Sequence, residues 1–362
     1  MKVTVTQQHL AHGLSIVSRA VSPRSTLPVL ANVLLATDEG RLRLSATNLE
    51  LGITCWIPAH IDEEGSITVP SRTIVDLVST FPPDNVNLSL NERTQTLNLV
   101  CNSSVHDVKG IDAQDFPPMP VIDPEEGFEL NLADFKDMIQ QVAFAASTDE
   151  ARPVLQGVKM DVVENEITLA ATDGFRISVR KENLSSPVPQ DISIIIPARA
   201  MNELARIFSE VDKSVHMIVP SGRGQVIFRL KDAELVSQLI DGNFPDYKAI
   251  IPKSAKTKTI ISTPAFLKAC KQAEVIAREG NNVIRLEITP EEEGPGKVEI
   301  SATTEETGKS DISVEANIEG SGLLIAFNVR FLVQVLDVIH SPNVALETNA
   351  NNSPGVIRPM GD

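Results

Sequence analysis

The chain has 362 residues, 42% hydrophobic and 22% charged, a composition that supports ordinary globular cores in two or three domains. Its net charge of −16 disfavours a protein that binds nucleic acid through an overall positive surface, because phosphate contacts require Lys and Arg. The three cysteines form no Cys-x-x-Cys pattern, which argues against a disulfide or zinc framework and favours a reducing, cytoplasmic location. The first residues lack a signal-peptide pattern, and no apolar run reaches the roughly 20 residues that span a bilayer, so we expect no membrane segment.

Two helical patterns each occur three times along the chain. The first is an apolar stripe with spacing i, i+4, i+7 and i+11, which begins at Leu10, Phe135 and Phe266. The second is a shorter stripe that begins at Ile74, Met201 and Leu332. Corresponding positions are separated by 125 to 131 residues. The predicted helices cover residues 7–22, 71–80, 131–146, 198–210, 264–279 and 328–340.

Alternating strand patterns separate the helices at the same spacing. The predicted strands between the two helices of each copy are Val29–Ala36, Arg41–Ala46 and Leu51–Ile57; Val154–Val162, Glu166–Ala171 and Arg176–Arg180; and Val283–Ile288, Lys297–Ala302 and Asp311–Ala316. Proline-rich linkers at Phe116–Pro120 and Phe244–Tyr247 end the first two copies. The repeat therefore predicts three α+β domains, 1–121, 122–252 and 253–362, each with two helices packed on a β-sheet.

Such units leave unpaired strand edges, and closing the units into a ring would remove those edges. The predicted helices hold nine basic and eight acidic residues, a charge of +1, so the rest of the chain carries −17. A ring with its helices inside would have an acidic rim and a near-neutral to mildly basic hole. An equally compatible interpretation is that the charged helix faces are simply solvated.

Several ordered motifs resemble the bacterial DNA polymerase III beta subunit family, the sliding clamps. These motifs are Leu27–Leu30 with Arg24 before it, Ala46–Glu50, Asp115–Pro117, Ala171–Arg176, Gly242–Tyr247 and Phe327–Asn328. The resemblance covers the whole chain. It implies a ring-shaped head-to-tail homodimer that encircles double-stranded DNA without reading its sequence and confers processivity without catalysing a reaction.

The resemblance also implies partners and DNA contacts. The partners are the DNA polymerase III alpha subunit, the clamp-loader delta subunit, and other polymerases or repair proteins that carry short peptide motifs. The residues that match DNA-contacting positions or begin matching helices are Arg24, Arg72, Arg199 and Lys248. The loop Thr148–Glu150 matches a further DNA-contacting loop, although here it carries two acids.

Two other sites follow from the resemblance. The positions that match the family's partner-peptide pocket are Leu155, Thr172, Gly174, Phe175, Arg176, Ile177, Pro245, Ile250 and Phe331. The matching dimer-interface positions are Lys109, Val275, Ile276 and Glu305, with the edge strand Ser103–Lys109 expected to meet a strand near Lys297–Thr303. The family usually continues past a Gly-Asp such as Gly361-Asp362 into a final strand, so we expect the third domain to lack its last strand.

Two alternatives come from other functional classes. One is a protein-binding scaffold of clamp-like domains that never encircles DNA. The other is an enzyme built on a threefold repeat, but the sequence contains no P-loop motif and no spacing of Ser, His, Asp or Cys that indicates a nucleophile. We expect no cofactor and no metal.

Overall fold

The computed structural model describes residues 1–22, 27–120, 126–188, 190–209 and 212–361. The first copy of the repeat contains, in chain order, β1 (Lys2–Thr6), α1 (Gln7–Val17), β2 (Asn32–Asp38), β3 (Arg41–Thr47), β4 (Leu51–Pro58), β5 (His60–Glu63), β6 (Ser66–Pro70), α2 (Ser71–Ser79), β7 (Asn85–Asn91), β8 (Thr96–Cys101) and β9 (Ser104–Lys109).

The second and third copies repeat this order with fewer described strands, eight and seven against nine in the first. The second contains β10 (Phe128–Asn131), α3 (Leu132–Val142), β11 (Gly157–Val163), β12 (Glu166–Thr172), β13 (Ile177–Asn183), β14 (Ile192–Pro197), α4 (Ala198–Ile207), β15 (Ser214–Ile218), β16 (Gln225–Arg229) and β17 (Ala233–Gln238). A one-turn helix, α5 (Tyr247–Ile250), follows. The third contains β18 (Thr257–Ser262), α6 (Thr263–Ala277), β19 (Val283–Thr289), β20 (Gly296–Thr304), β21 (Gly308–Gly320), β22 (Leu323–Asn328), α7 (Val329–Asp337), β23 (Asn343–Thr348) and β24 (Val356–Met360).

The helix starts follow from local chemistry. The Thr6 hydroxyl accepts a hydrogen bond from the His9 backbone N–H at 3.3 Å, and the Asn131 side chain accepts one from Asp134 N–H at 3.1 Å. Both are N-cap interactions that satisfy an amide left unpaired at a helix start. In the third copy Pro264 occupies the first turn of α6, a position where its missing N–H costs nothing. The predicted first-helix stripes are buried in all three copies except at Val21 and Ala146, their last positions in the first two copies, which are half-buried, so the stripes are confirmed as core faces.

The three copies share one strand order, except that among the described residues no strand of copy 2 corresponds to β5 and none of copy 3 corresponds to β9. In the first copy the order is β5-β1-β7-β8-β9 in one sheet and β4-β3-β2-β6 in the other, with all pairs antiparallel. In the third copy the 13-residue strand β21 takes part in both layers, so the order β22-β19-β20-β21-β18-β23-β24 forms one sheet. The threefold repeat read from the sequence is therefore a threefold repeat of topology.

The first two copies share one sheet. Strand β17, the last strand of copy 2, pairs antiparallel with β4, the outer strand of copy 1, from Ala233 opposite Cys55 to Ser237 opposite Leu51. The result is an eight-stranded sheet with order β10-β15-β16-β17-β4-β3-β2-β6. The edge of one copy is thus covered by the edge of the next.

The chain divides into two compact units. Unit 1 comprises residues 1–171 and 179–242, and unit 2 comprises residues 172–178 and 243–362. Unit 1 holds the continuous hydrophobic core of copies 1 and 2, and unit 2 holds the separate core of copy 3. The turn between β12 and β13 belongs to unit 2 although its flanking strands belong to copy 2.

Three details differ from the sequence predictions. The predicted strands Val29–Ala36 and Val154–Val162 begin as 3₁₀ turns, Pro28–Ala31 and Pro153–Gln156, because each proline fixes a turn-compatible φ and cannot donate to a ladder. The expected pairing of Ser103–Lys109 with a strand near Lys297–Thr303 is wrong. That segment lies inside β20, which is bonded to β19 on one side and to β21 on the other.

Candidate functional site

A tight turn of unit 2 holds the first group of predicted site residues. The Thr172 hydroxyl donates to the Arg176 carbonyl at 2.7 Å and accepts from Gly174 N–H at 3.1 Å. The Asp173 carboxylate accepts from the backbone N–H groups of Phe175 and Arg176 at 2.8 and 3.0 Å. These bonds fix the turn, and Gly174 adopts φ +94°, a conformation that glycine reaches without strain.

The same turn occurs in copy 1. There Thr47 donates to the Leu51 carbonyl at 3.0 Å, Asn48 accepts from the Glu50 and Leu51 N–H groups at 3.0 and 2.7 Å, and Leu49 has φ +75°. The turn is therefore a feature of the repeat and does not by itself mark a site. The difference lies in the residue that follows it, which is Leu51 in copy 1 and Arg176 in copy 2.

Arg176 is held by three groups of unit 2. Its Nε lies 3.1 Å from Asp173 Oδ2, its Nη1 donates to Gln334 Oε1, and its guanidinium carbon lies 4.4 Å from the centroid of the Phe331 ring. Only 17% of its side chain is exposed, and burial is the main cause that lowers the pKa of the guanidinium, with Arg330 adding to the effect and Asp173 opposing it. An oriented cation on an aromatic face suits recognition of a peptide carbonyl or carboxylate.

Apolar side chains of the predicted pocket are exposed in the same unit. Phe175 is 83% exposed and Ile250, on α5, is 56% exposed, well above what a buried core residue shows. Pro245 is exposed before α5, where its carbonyl accepts from Tyr247 N–H at 2.8 Å, and Ile177 is half-buried. Exposed apolar groups and an oriented guanidinium in one unit together have the composition of a protein-recognition site.

Leu155 belongs to unit 1. It is half-buried in the turn Pro153–Gln156, where its carbonyl accepts from Ser147 N–H at 2.8 Å. Two open cavities lie elsewhere. One of about 460 Å³ is lined by residues 164–165, 184–188 and 190–191 of unit 1, and one of about 500 Å³ by residues 253–256, 258, 319–320, 347 and 358 of unit 2. Neither cavity is lined by a predicted pocket residue.

The predicted DNA contacts lie on helices and linkers. Arg72 is exposed on α2 with its Nε 3.7 Å from Asp76, and Arg199 is exposed on α4. Lys248 is exposed on α5, with its Nζ 6.0 Å from the centroid of the Tyr247 ring. Arg24 lies outside the described residues.

The negative charge of the loop Thr148–Glu150 is partly offset by the neighbouring Arg152. Asp149 accepts from Ala151 N–H at 3.0 Å and from Arg152 Nε at 2.9 Å. These hydrogen bonds lower the pKa of the Asp149 carboxyl, the backbone bond most strongly, and Arg152 offsets its charge.

A basic cluster on the helices of unit 1 was not singled out from the sequence. Arg19 and Arg206 both approach the carboxylate of Glu203, at 3.3 and 2.8 Å, and Arg199 Nη2 reaches the Arg19 carbonyl at 3.5 Å. On α4, the spacing of Arg199, Glu203 and Arg206 was visible in the sequence, but the approach of Arg19 from copy 1 depends on how the copies pack.

The predicted dimer residues lie at surfaces. Lys109 is exposed at the end of β9, with its Nζ 2.9 Å from Thr96 Oγ1. Val275 is 54% exposed and Ile276 half-buried near the end of α6, and Glu305 is exposed in the turn between β20 and β21. Among the described residues, β9 pairs only with β8 along its length.

Two kinds of feature are missing from the described part of the chain. It contains no group of three or more His, Cys, Asp or Glu side chains arranged to hold a metal ion. None of its helices is long and apolar enough to cross a membrane.

Comparison with known proteins agrees with this fold. Residues 1–120, 129–246 and 248–362 match the N-terminal, central and C-terminal domain models of the DNA polymerase III beta subunit. The beta sliding clamp of Synechococcus elongatus is 34% identical, and that of Staphylococcus aureus 33% identical; each comparison covers 100% of this chain and 96% of the relative.

Solved structures give the same result. The DNA polymerase sliding clamp of Bacillus subtilis superposes with a TM-score of 0.93 at 29% identity, covering 100% of this chain and 96% of that one. A sliding clamp of Pseudomonas aeruginosa bound to griselimycin superposes with a TM-score of 0.91 at 26% identity, with the same coverage. The chain belongs to the DNA polymerase III beta subunit family, the beta sliding clamps. It is a processivity subunit of DNA replication and not a catalytic one.

Proposed function

We propose that two copies of this chain close head to tail into a ring that encircles duplex DNA and tethers the replicative polymerase to it. The observation that carries this proposal is the β17–β4 junction, where the last strand of one copy extends the sheet of the previous one. A head-to-tail ring repeats one kind of junction around its circumference. The corresponding strand edges are that of β9, the last strand of copy 1, and that of the first half of β21 in copy 3, where residues 308–315 pair with β20 alone among the described strands.

The internal repeat predicts the register of this second junction. Strand β9 pairs with β8 as β17 pairs with β16, so β9 is the counterpart of β17. Strand β21 pairs with β20 as β4 pairs with β3, so β21 is the counterpart of β4. If the β9–β21 junction has the register observed for β17 and β4, Val105 of one chain lies opposite Asp311 of a second chain, and Asp107 lies opposite Lys309. The second pair is complementary in charge, and opposite charges across strands stabilise a ladder.

The helices supply the other half of the junction. In unit 1, Arg19 lies just after α1 and contacts Glu203 of α4. The residues of α6 that correspond to Arg19 and Ala20 are Val275 and Ile276, and the helix that corresponds to α4 at the second junction is α2. The exposed apolar side chain of Val275 would therefore pack on α2 of a second chain. This correspondence supports both residues as interface positions.

An ion pair is expected beside the strands. The Gln238 N–H donates to the Glu50 carbonyl at 2.8 Å, where β17 meets the turn that precedes β4. The corresponding positions are Lys109 and the turn that contains Glu305 and Glu306. Lys109 and Glu305 would therefore lie at the same end of the β9–β21 pair, where an exposed pair contributes about 0–1 kcal/mol.

The DNA contacts are proposed to be few. A ring holds DNA by topology, and each firm phosphate contact would steepen the salt dependence of binding and slow sliding. Arg24, Arg72, Arg199 and Lys248 are sufficient for a weak, sequence-independent contact, since none of them needs to read a base edge. The cytoplasmic location and the copy boundaries near residues 121 and 252 are part of the same proposal.

The turn Thr172–Ile177, with Pro245, Ile250 and Phe331, is proposed to bind short peptide motifs of partner proteins. Those partners are the DNA polymerase III alpha subunit, the clamp-loader delta subunit, and other polymerases and repair proteins. The support lies in the oriented guanidinium of Arg176 next to the Phe331 ring and in the exposure of Phe175 and Ile250. Anchor side chains of the peptide would cover these apolar groups, and removing apolar surface from water stabilises the complex.

Retention on DNA of different topology tests the proposal. The protein is loaded onto a nicked circular duplex, part of the sample is linearised with a restriction enzyme, and bound protein is measured after gel filtration. We expect retention on the circle and loss from the linear DNA, because only a free end lets a ring slide off. Equal loss from both forms would contradict encirclement and would favour a clamp-like scaffold that never surrounds DNA.

A further inference from the structure

Glu203 lies at the centre of the basic cluster in unit 1. Its two carboxylate oxygens are divided between two arginines, with Arg19 Nη1 3.3 Å from Oε2 and Arg206 Nη1 2.8 Å from Oε1. Only 12% of the Glu203 side chain is exposed, whereas 37% of Arg19 and 58% of Arg206 remain exposed. The carboxylate is therefore largely enclosed while both guanidinium groups still reach solvent.

The position is distinctive among the three copies. The residue of α2 that corresponds to Glu203 is Asp76, which is 73% exposed and, among the described residues, pairs with Arg72 of its own helix at 3.7 Å. The corresponding residue of α7 is Gln334, which carries no charge. Within the described part of the chain, the α4 position is the one of these three at which arginines of two different copies share a carboxylate.

A purely structural role would be to hold copies 1 and 2 together. Another ion pair joins the same two copies: Arg41 lies 3.2 Å from Asp232, beside the β17–β4 strands. The strand ladder and the continuous core already join these copies. The Arg41–Asp232 pair therefore serves as a control, because it joins the same two copies but lies away from the helices.

We propose that Glu203 is an internal counterion that limits how strongly the helical surface attracts DNA phosphates. This inference rests on the proposed function, in which the helices face the duplex. Three arginines, Arg19, Arg199 and Arg206, would otherwise present a concentrated positive patch. A carboxylate within hydrogen-bond distance of two of them offsets one unit of that charge and competes with phosphate for the same guanidinium donors. Glu203 is thus a positioning residue that keeps the contact weak enough for sliding.

The test compares two variants that each remove one carboxylate. Glu203→Gln keeps the side-chain size and can still accept one hydrogen bond, and Asp232→Asn makes the same change in net charge at the control pair. The affinity of each purified full-length protein for a short fluorescently labelled duplex is measured by anisotropy over a range of salt concentrations. We expect Glu203→Gln to bind more tightly and the slope of log K against log[salt] to steepen by about one unit, as gain of one phosphate contact predicts. We expect Asp232→Asn to match the parent protein.

A double variant identifies the cation that is released. Glu203→Gln combined with Arg206→Gln is expected to return the slope to the parent value, because the freed guanidinium is then missing. Equal effects of Glu203→Gln and Asp232→Asn would overturn the inference, since net charge alone would explain them. Unchanged or weaker binding by Glu203→Gln would also overturn it. These outcomes leave the proposed function intact as long as the parent protein is retained on circular DNA and lost from linear DNA.

Discussion

At the scale of single residues, Arg176 is the most specialised side chain of the candidate peptide site. Its guanidinium is fixed by Asp173 and Gln334 and lies on the Phe331 ring, so little side-chain freedom remains to be lost when a ligand binds. A long cation on an exposed surface normally loses that freedom on binding. Its fixed geometry is what makes the residue suitable as an anchor.

Arg176→Ala is expected to weaken the binding of a fluorescent Gln-Leu-Ser-Leu-Phe peptide by about tenfold, which corresponds to roughly 1.4 kcal/mol. Fluorescence anisotropy provides the measurement. The matched control is Arg180→Ala, which removes an arginine that pairs with Glu182 at 2.8 Å in the same strand. Equal affinities for the parent and Arg176→Ala proteins would reject the assignment.

The sequence identified Arg176 by resemblance but could not identify its partners. Asp173 is a near neighbour in the chain, whereas Gln334 and Phe331 are about 160 positions away and meet Arg176 only after folding. The turn itself was recognisable because Thr and Asp at its start form local hydrogen bonds. Local chemistry was therefore predictable at this site, and long-range contacts were not.

Glu234 is a buried carboxylate at the junction of copies 1 and 2. It is 5% exposed on β17, opposite Thr54 of β4, and its Oε2 lies 3.4 Å from Arg229 Nε. Burial raises the pKa of this carboxyl, and Arg229 only partly offsets the effect. Because the folded state holds the proton more tightly than the unfolded state, the group lowers stability as pH rises from the ordinary glutamate pKa of about 4.3 through its folded pKa.

Glu234→Gln is therefore expected to be relatively more stable at neutral pH than at pH 4, because glutamine lacks this pH-dependent loss. The measurement is the difference in Tm between the variant and the parent protein at the two pH values. The difference should shift in favour of the variant on going from pH 4 to neutral pH. The same difference at both values would show that burial of this carboxylate has no effect on stability.

At the scale of secondary-structure elements, the edge strands determine how the copies join. The alternation of apolar and polar residues predicted most strands, because one face of each sheet packs on a core. It could not predict that β17 pairs with β4, since hydrogen bonds at a strand edge leave no pattern in the side chains. For the same reason the sequence assigned the wrong strand, near Lys297–Thr303, as the partner of β9; the interior position of β20 excludes it.

The exposed end of α6 provides a test of the second junction. Val275→Asp combined with Ile276→Asp is expected to dissociate the dimer, because a buried apolar side chain of this size contributes about 1.5–3 kcal/mol and each ring contains two such junctions. Sedimentation velocity measures the oligomeric state. Leu324→Asp is the control, since Leu324 is an apolar residue of the same copy with similar exposure, 53%. A double variant that remains dimeric would remove Val275 and Ile276 from the interface.

At the scale of the whole molecule, the repeat explains how an acidic chain can serve DNA. The predicted helices carry +1 while the remainder carries −17, so the acidity lies in strands and loops. The structure adds that the helical charges are organised, with Arg19 and Arg206 from different copies sharing Glu203. The predicted helix positions were enough to give the balance of charge on the helices, but the arrangement of those charges depends on how one copy packs against the next.

The native cysteines permit a covalent test of ring closure. Cys55, Cys101 and Cys270 are all buried, and burial raises the pKa of the Cys55 and Cys270 thiols to about 12. Thiols of this kind react slowly because little thiolate forms at neutral pH. Cysteines introduced at the proposed seam can therefore be oxidised selectively.

The most direct test of ring closure around DNA is a disulfide across the proposed β9–β21 junction between two chains. Val105→Cys and Asp311→Cys lie opposite one another in the proposed β9–β21 register, at a separation that a disulfide can bridge. The variant is loaded onto a nicked circular duplex, oxidised, and then denatured in detergent. If the ring closes at this seam, the cross-linked protein stays with circular DNA after denaturation and is released when the DNA is linearised. Efficient cross-linking followed by release from the circle would show that the closed protein does not surround DNA and would contradict the account.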